Sequence, residues 1–249
     1  MKIRVDLNAD LGEGAGHDDE LFGLVTSASV ACGVHAGDPN SIAEAIQKAH
    51  AAGVSVGAHP SLWDREHFGR RELKVAPEEI FRAMVYQLGA FHALARQVNV
   101  PVRHTKPHGA LYNMAVRDPS MSDAIARAIV LIDPALILFA PNGSALVRAG
   151  EANGLRIGHE VFADRNYLRD GSLVHRSRPD ALLHNPMEAA DRVVRMLKEG
   201  VVRSVDGVDV PVVADTICLH GDNAGAVEFA RSLRGILEKE GVAVQAIEH

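Results

Sequence analysis

Short apolar runs alternate with longer segments of helical periodicity along the chain, and this alternation restricts the fold more than any other feature. Each run leads through a polar cluster into a segment whose apolar residues recur every three or four positions. That order is typical of strand–helix units in a parallel sheet. The predicted strands are residues 3–7, 28–33, 54–58, 102–105, 136–140, 156–162 and 212–219, with an eighth run at 242–247 that has no helix after it.

Helix start and stop signals support this interpretation of the segments between the runs. Proline in the first turn and glycine just past the last turn are preferred at helix ends. Gly53 and Gly200 follow two of the periodic segments in this way. The predicted helices begin at Asp38-Pro39, Pro77, Asp118-Pro119 and Asn185-Pro186, and another spans about residues 223–240.

Two α/β architectures fit this alternation, a closed (β/α) barrel and an open doubly wound sheet. An open sheet concentrates its ligand-binding groups at one crossover point, whereas a barrel collects them from every strand at one end. Almost every predicted strand here ends in ionisable or amide side chains. We therefore predict a barrel that residues 1–249 form as a single domain, because barrels of roughly 200 to 250 residues commonly fold as one unit.

The charge balance and the absence of long apolar segments exclude several classes of function. The 249 residues include 26 Lys and Arg against 32 Asp and Glu, without a block of one sign, which argues against a nucleic-acid or anionic-membrane partner. No stretch reaches the ~18 apolar residues of a membrane span and no signal-peptide core follows Met1, so we predict a cytoplasmic protein.

Cys32 and Cys218 lie in separate apolar runs and are predicted to be buried, reduced thiols. The composition leaves self-association open.

The polar residues at the predicted strand ends form the candidate site. A spacing of two residues puts side chains on one face of an extended chain. Two sets have this spacing: Asp6, Asn8 and Asp10, and His104, Lys106 and His108. The other strand ends contribute His35, Asp38, His59, Glu160, Asp164, Arg165, His220 and Asp222. Burying so many polar groups is costly unless they are paired, so we predict a shared site for binding and proton transfer at the barrel mouth.

A divalent metal ion is one hypothesis for this site, because histidines and carboxylates from different strands can together form a set of nitrogen and oxygen ligands. The candidate ligands are Asp6, Asp10, His35 and His59. The sequence has no HExxH motif, and the same groups could act as acid, base and hydrogen-bond donors without an ion. Both interpretations stay open.

Three loop features are weighed against ordinary structural roles. The glycine-rich residues 12–16 could hold an anion, but no Lys-Ser/Thr of a P-loop follows them, so a flexible loop fits better. Arg70 is equally suited to a substrate anion and to a surface contact. Asp170-Gly171 predicts a hairpin turn over the barrel mouth, which would serve as a lid or a partner contact.

Six segments, in order and spread over nearly the whole sequence, together resemble the LamB/YcsF family. They are DLNADLGE at 6–13, ACGVHAGD at 31–38, GAHP at 57–60, KPHGALYN at 106–113, EVFADR at 160–165 and CLHGD at 218–222. One departure lies at 60–64, where the family tends to have an aromatic residue followed by proline and this chain has PSLWD. The resemblance implies a distorted, seven-stranded TIM-like barrel related to the glycoside hydrolase and deacetylase barrels.

The family resemblance also implies an activity. It implies one component of an ATP-dependent 5-oxoprolinase, which opens the 5-oxoproline lactam to L-glutamate together with further subunits B and C and uses ATP as a co-substrate. A five-membered lactam is a poorly electrophilic amide, so phosphorylation would give a carbonyl carbon that water attacks more readily. The missing P-loop fits phosphorylation by the partner subunits.

For this reaction we expect Asp10 to act as the general base with help from His59, because a base must reach the attacking water. Lys106 and His108 would stabilise the charge that develops on the oxygen or the phosphoryl group. Arg165 has the planar fork that suits a substrate carboxylate. If Asp10 is not the base, Asp6 and Glu160 are the next candidates. The remaining substrate-binding candidates are Asn8, His35, His220, Asp222 and Arg70.

Two other functions are weighed against this one. A stand-alone metal-dependent deacetylase or carbohydrate hydrolase would be active without partners or ATP. A non-catalytic subunit would only bind substrate for an enzyme elsewhere. In that case replacing Asp10 or His59 would weaken binding and leave the turnover of bound substrate unchanged.

Overall fold

Parallel strands and the helices between them make up most of the chain. The structure is a computed structural model, and it describes residues 3–175, 177–183, 185–219 and 225–248. The strands are β1 (Arg4–Leu11), β2 (Ser27–Ala31), β3 (Ser55–His59), β4 (Val102–Thr105), β5 (Ile137–Pro141), β6 (Arg156–Phe162), β7 (Val201–Arg203), β8 (Asp209–Pro211), β9 (Thr216–Leu219) and β10 (Ala243–Val244).

Seven of these strands close into a parallel barrel. Each of β1 to β5 pairs with the next strand, β6 pairs with β9, and β9 returns to pair with β1, where Asn8 lies opposite Ser27 on one side and Cys218 on the other. The predicted seven-stranded barrel is therefore confirmed. The eighth run forms only the two-residue strand β10, which pairs with the start of β1 outside the ring.

The helices surround this barrel, and four of them begin at predicted residues, namely Pro39, Pro77, Pro119 and Pro186. The fifth predicted helix begins at Ala226 instead of about residue 223, and the helices at 18–22, 109–115 and 145–152 were not predicted. Asp38 caps its helix by accepting hydrogen bonds from the backbone N–H groups of Asn40 and Ser41, and the carboxylate of Asp118 caps a second helix in the same way. The helices are α1 (Asp18–Phe22), α2 (Pro39–Ala51), α3 (Pro77–Gln97), α4 (Gly109–Ala115), α5 (Pro119–Ile132), α6 (Ala145–Ala152), α7 (Pro186–Glu199) and α8 (Ala226–Lys239). None of the helices in the described part of the chain is long and apolar enough to cross a membrane.

Two predicted strand boundaries are wrong. The first strand does not stop at residue 7 but continues to Leu11, because Asp6, Asn8 and Asp10 point into the barrel and find polar partners there. The run at 212–219 is not one strand, since β9 begins only at Thr216 and Val213 is 53% exposed. Residues 212–215 form no strand, and before them β7 and β8 form a small antiparallel sheet.

The apolar side chains of the strands and helices form one core around the barrel wall. Leu7, Ala9 and Leu11 alternate with the inward polar residues of β1 and pack in this core with the apolar faces of the helices. Cys32 and Cys218 are both buried and free, as predicted. The polar face of β1 is thereby left to the barrel interior, where the site is built.

Candidate active site

The deepest member of the polar set on β1 is Asp6, which the barrel wall encloses with hydroxyl groups. Its Oδ1 accepts hydrogen bonds from Thr26 Oγ1 at 2.6 Å and Ser27 Oγ at 2.7 Å, and its Oδ2 accepts one from Thr216 Oγ1. Burial raises the pKa of Asp6 to about 6 in spite of these donors. Asp6 lies deeper in the barrel than the groups at the mouth and is linked to them through Thr216, which accepts a hydrogen bond from Nδ2 of Asn8.

Lys106 provides a buried positive charge at the mouth. It follows β4, and its Nζ lies 2.6 Å from Asp10 Oδ1, 2.9 Å from Asn8 Oδ1 and 3.1 Å from Glu160 Oε1. Burial alone would lower the pKa of Lys106, but the charges of Asp10 and Glu160 outweigh it and hold that pKa well above its usual range. Lys106 is therefore a fixed ammonium group between two carboxylates.

Both carboxylate oxygens of Glu160 are held by neighbouring side chains. Oε1 accepts a hydrogen bond from Asn8 Nδ2 at 3.0 Å as well as the contact with Lys106, and Oε2 accepts the phenol O–H of Tyr112 at 2.5 Å. Burial raises the pKa of Tyr112, so this phenol stays a hydrogen-bond donor. Glu160 thus fixes the position of Lys106 and makes no contact with solvent.

Two histidines at the mouth face each other through their ring nitrogens. Nδ1 of His59 donates to the backbone carbonyl of Lys106 at 2.7 Å, and Nε2 of His108 donates to the carbonyl of Phe68 at 2.8 Å. The remaining nitrogens, Nε2 of His59 and Nδ1 of His108, lie 3.0 Å apart. Because a carbonyl only accepts, its partner nitrogen must carry the proton, and the two facing nitrogens keep their lone pairs in the neutral rings.

Glu13 and His35 complete this group. Glu13 Oε1 lies 2.9 Å from His35 Nε2, 3.1 Å from His108 Nδ1 and 3.7 Å from His59 Nε2. The rings of His35 and His108 stack with centroids 3.8 Å apart. Burial lowers the pKa of His35 to about 4, whereas the contacts with His108 and His35 outweigh burial and lower the pKa of Glu13 to about 2. The four residues offer donor atoms within 4.8 Å of one another, a grouping that could hold a metal ion.

Asp10 is the member of this network that reaches the surface. Its side chain is 20% exposed, whereas those of Glu13, His59 and Lys106 are at most 7% exposed. Burial would raise the pKa of Asp10, but the interactions with His59 and with the Lys106 ammonium group outweigh it and hold that pKa well below its usual range. Asp10 is therefore an ionised carboxylate, with Oδ1 turned to Lys106 and Oδ2 3.4 Å from His59 Nε2.

The structure brings together seven of the predicted site residues. They are Asn8, Asp10, His35, His59, Lys106, His108 and Glu160. His104 also points inward, but it stacks on Phe139 at 4.3 Å and faces Ser29, away from Lys106 and His108. The predicted residues His220 and Asp222 lie outside the described part of the chain.

Other predicted features lie around this network. Arg165 is buried and donates from Nη2 to the carbonyl of Val174 at 2.7 Å, and the guanidinium of Arg70 lies 5.1 Å from the centre of the Phe68 ring. Near the predicted turn at Asp170-Gly171, Leu168 N–H donates to the carbonyl of Ser172. In the glycine-rich loop the N–H of Gly12 donates to the Asp18 carboxylate, so this donor already has a partner within the chain.

Sequence reasoning assigned no role to Glu13 or Tyr112. Glu13 lies in the glycine-rich loop, whose composition predicted a flexible segment, yet its carboxylate contacts three buried histidines. Tyr112 lies on α4, a seven-residue helix that was not predicted. Both residues stand inside the segments that carry the family resemblance, at 6–13 and 106–113. Their position inside these two segments was the signal from which a role for them could have been predicted.

Known proteins match this chain over its whole length. A model of the LamB/YcsF family matches residues 5–249. A protein of Bacillus licheniformis, named as the A subunit of 5-oxoprolinase, is 50% identical over 248 residues, which cover 98% of both chains. A protein of the same name from Oceanobacillus iheyensis is 47% identical and covers 100% of this chain and 98% of its own length.

Solved structures agree with these sequence matches. A lactam utilization protein from Thermus thermophilus has a TM-score of 0.93 and 46% identity, covering 98% of this chain and 100% of its own. The T48 deacetylase, with a TM-score of 0.50 and 15% identity over 98% of this chain and 88% of its own, shares the fold alone. The family match and the full-length relatives confirm the resemblance seen in the six sequence segments: this chain belongs to the LamB/YcsF family.

Proposed function

We propose that this chain is the A subunit of an ATP-dependent 5-oxoprolinase, which opens the lactam of 5-oxoproline to L-glutamate. The observation that carries the proposal is the match to a relative of that name at 50% identity over 98% of both chains. That match includes the barrel and the residues at its mouth. The buried charges at the barrel mouth give this function a chemical basis.

The reaction has to overcome the low reactivity of an amide. Transfer of the terminal phosphoryl group of ATP to the amide oxygen would make the carbonyl carbon electrophilic and release ADP. Water then adds to that carbon, and the C–N bond breaks as the nitrogen takes up a proton, which leaves an acyl phosphate of the side-chain carboxyl group. A second water hydrolyses this acyl phosphate and releases phosphate. The products are L-glutamate, ADP and phosphate.

Asp10 is the proposed general base for the attacking water. It is ionised, it is the most exposed member of the network, and Oδ2 is the oxygen that does not face Lys106. His59 assists it, because its Nε2 lies 3.4 Å from that oxygen and its other nitrogen is fixed by the Lys106 carbonyl. A base must lie within hydrogen-bond reach of the proton it removes, so the attacking water would have to lie beside Oδ2 of Asp10.

Lys106 and His108 are proposed to stabilise the negative charge that develops on the substrate. Lys106 is a fixed cation next to Asp10, and a preorganised cation lowers the energy of a developing oxyanion or phosphoryl charge without rearrangement. His108 is held by the Phe68 carbonyl at 2.8 Å, and its Nδ1 lies 3.0 Å from Nε2 of His59. Asn8 and Glu160 position Lys106 from below, and His35 supports His108 by stacking.

Arg165 and Arg70 are the proposed partners of the substrate carboxylate. A guanidinium group can bind a carboxylate through two parallel hydrogen bonds. Arg70 lies over the ring of Phe68, the residue whose carbonyl holds His108, and so lies close to the network. Arg165 follows β6, the strand that carries Glu160.

The proposed enzyme needs subunits B and C and uses ATP as its co-substrate. The relatives are named as one lettered subunit of an enzyme, which implies a complex of several subunits. The sequence has no GxxxxGK[ST] motif, which supports a division of work in which the partners carry out the phosphorylation. We propose the cytoplasm as the location, since ATP is available there.

The experiment is a reconstitution. The purified chain is incubated with 5-oxoproline and ATP, with and without subunits B and C, and glutamate and ADP are measured together. We expect equal amounts of both products from the three-subunit mixture and almost none when any one of the three is left out. Equal glutamate formation without this chain, or full activity of this chain alone without ATP, would overturn the proposal.

A further inference from the structure

The four donor atoms of Glu13, His35, His59 and His108 meet at one point of the barrel mouth. The residues come from the ends of four consecutive strands, so the barrel itself brings the donors together. All four side chains are at most 7% exposed. A carboxylate oxygen and three ring nitrogens thus converge away from bulk water.

The proton positions on two of these rings leave two ring nitrogens facing each other with no proton between them. His59 and His108 each use one nitrogen to donate to a backbone carbonyl, so the two nitrogens that face each other at 3.0 Å both have lone pairs when the rings are neutral. Two lone pairs at that distance repel, and an electrophile between them would remove the repulsion. Metal-bound histidines usually donate their other ring N–H to a carbonyl or a carboxylate, as both rings do here.

The size of the group suits a small divalent ion. Bonds of 2.0–2.1 Å in a tetrahedral arrangement put neighbouring ligand atoms about 3.3 Å apart. The separations here are 2.9 Å between Glu13 and His35, 3.0 Å between His59 and His108, 3.1 Å between Glu13 and His108, and 3.7 Å between Glu13 and His59. Shifts of a few tenths of an ångström would bring these four distances to that value, and the other two separations are at most 4.8 Å. The rings of His35 and His108, which stack at 7° to each other, would also have to turn so that both lone pairs point to the ion.

We infer that Glu13, His35, His59 and His108 form a binding site for one divalent transition-metal ion of the zinc type. Three imidazoles and one carboxylate are a ligand set typical of zinc and its first-row neighbours, whereas magnesium and calcium prefer oxygen ligands alone. Asp6 is not a ligand, since three hydroxyl groups occupy its oxygens, and Asp10 Oδ1 is held by Lys106.

A bound ion would add positive charge beside Asp10 and Lys106. His59 and His108 would bind the ion through Nε2 and Nδ1, so in the metal-loaded chain the ion would take over the charge stabilisation proposed for His108 and the assistance that His59 gives to Asp10. The inference goes beyond the proposed function and does not depend on it. Metal binding is measured without substrate or partner subunits, so either conclusion can fail while the other stands.

The test measures metal binding by the full chain. The protein is stripped with a chelator, loaded with Zn²⁺ or Co²⁺, freed of excess metal and examined by elemental analysis, while the Co²⁺ form is followed by its visible absorption. We expect one equivalent per chain, and a visible band typical of four nitrogen and oxygen ligands. In His59→Ala and His35→Ala the affinity should fall at least about 100-fold, more than the roughly 10- to 100-fold loss seen when only a supporting group is changed.

Two further variants separate ligand loss from misfolding. Glu13→Gln keeps the size of the side chain, so its circular dichroism should match the wild type while Zn²⁺ no longer raises its melting temperature. His50→Ala changes an exposed histidine on α2 and should bind like the wild type. The inference is overturned if the stripped wild type takes up less than about a tenth of an equivalent at excess metal, or if folded Glu13→Gln and His59→Ala bind as tightly as His50→Ala.

Discussion

The ammonium nitrogen of Lys106 lies 2.6 Å from Oδ1 of Asp10, and the two residues differ sharply in their contact with water. Lys106 is 4% exposed, whereas the Asp10 side chain is 20% exposed. The cation is therefore held inside the barrel, and its counter-charge is the group that can meet a substrate. This relationship makes Asp10 the most informative residue for testing the proposed chemistry.

Asp10→Asn should reduce turnover of 5-oxoproline by roughly 100-fold or more when both partner subunits are present, with little change in KM. The amide keeps the shape of the side chain but cannot accept a proton. Asp123→Asn, at an exposed aspartate on α5, is the matched control and should turn over normally. A rate near wild type for Asp10→Asn would move Asp6 or Glu160 ahead as the base. Weaker binding with unchanged turnover would favour a non-catalytic subunit.

The interaction of Lys106 with Glu160 should appear as a coupling in stability. Lys106→Met leaves a buried carboxylate without its cation, which typically costs about 3 to 5 kcal/mol in unfolding free energy. Combining it with Glu160→Gln removes that charge, so the double variant should lose about 0.5 to 3 kcal/mol less than the two single variants together. Urea unfolding measures the unfolding free energy of the two single variants and of the double variant. Lys48→Met, at an ion pair whose lysine is 44% exposed, should cost less than about 1 kcal/mol. Strictly additive losses would show that the two charges do not interact.

The strand pattern and the polar strand ends were enough to predict the barrel and most of its site. The spacing of Asp6, Asn8 and Asp10 by two residues fixes one inward face, and the seven apolar runs give the number of strands in the ring. These features depend on the spacing at which polar and apolar residues recur within short segments of the chain. They could therefore be derived without knowing which segments meet in space.

Features that depend on contacts between distant segments were missed. Glu13 owes its role to histidines 22, 46 and 95 residues away in the sequence, and no local pattern in a glycine-rich loop points to them. The sheet of β7 and β8 had a local signal, because Asp206-Gly207 is a typical hairpin turn with Gly207 at a φ of 74°. The strongly apolar residues 212–219 after this turn led instead to the prediction of one longer seventh strand.

Asp6 should make the unfolding free energy depend on pH. Its pKa rises from 3.8 to about 6 on folding, so between these values the folded chain holds a proton that the unfolded chain has lost. The contribution of Asp6 to stability is therefore complete below about pH 4 and is lost as the pH rises to about 6, a change of about 3 kcal/mol. Urea unfolding from pH 4 to pH 7 should give a curve for Asp6→Asn that is flatter than the wild-type curve by that amount. The Asp123→Asn curve should follow the wild type, and parallel curves for all three proteins would contradict the raised pKa.

Gly69→Ala should disturb the histidine group from outside the network. Gly69 has a φ of 63°, and a Cβ there would lie 2.2 Å from Ser61 Oγ and 3.0 Å from His108 Cδ2. Gly154→Ala is the matched control, since its φ of 78° is equally unfavourable for alanine but nothing lies within 4 Å of the added carbon. Both variants should lose about 1 to 3 kcal/mol of unfolding free energy from backbone strain, and Gly69→Ala should lose more. Because a displacement of about 1 Å near reacting groups can cost roughly 100-fold in rate, glutamate formation should fall at least about 10-fold in Gly69→Ala and stay normal in Gly154→Ala. If the two variants lost the same stability and kept the same rate, the close approach of Gly69 to Ser61 and His108 would not be what holds His108 in place.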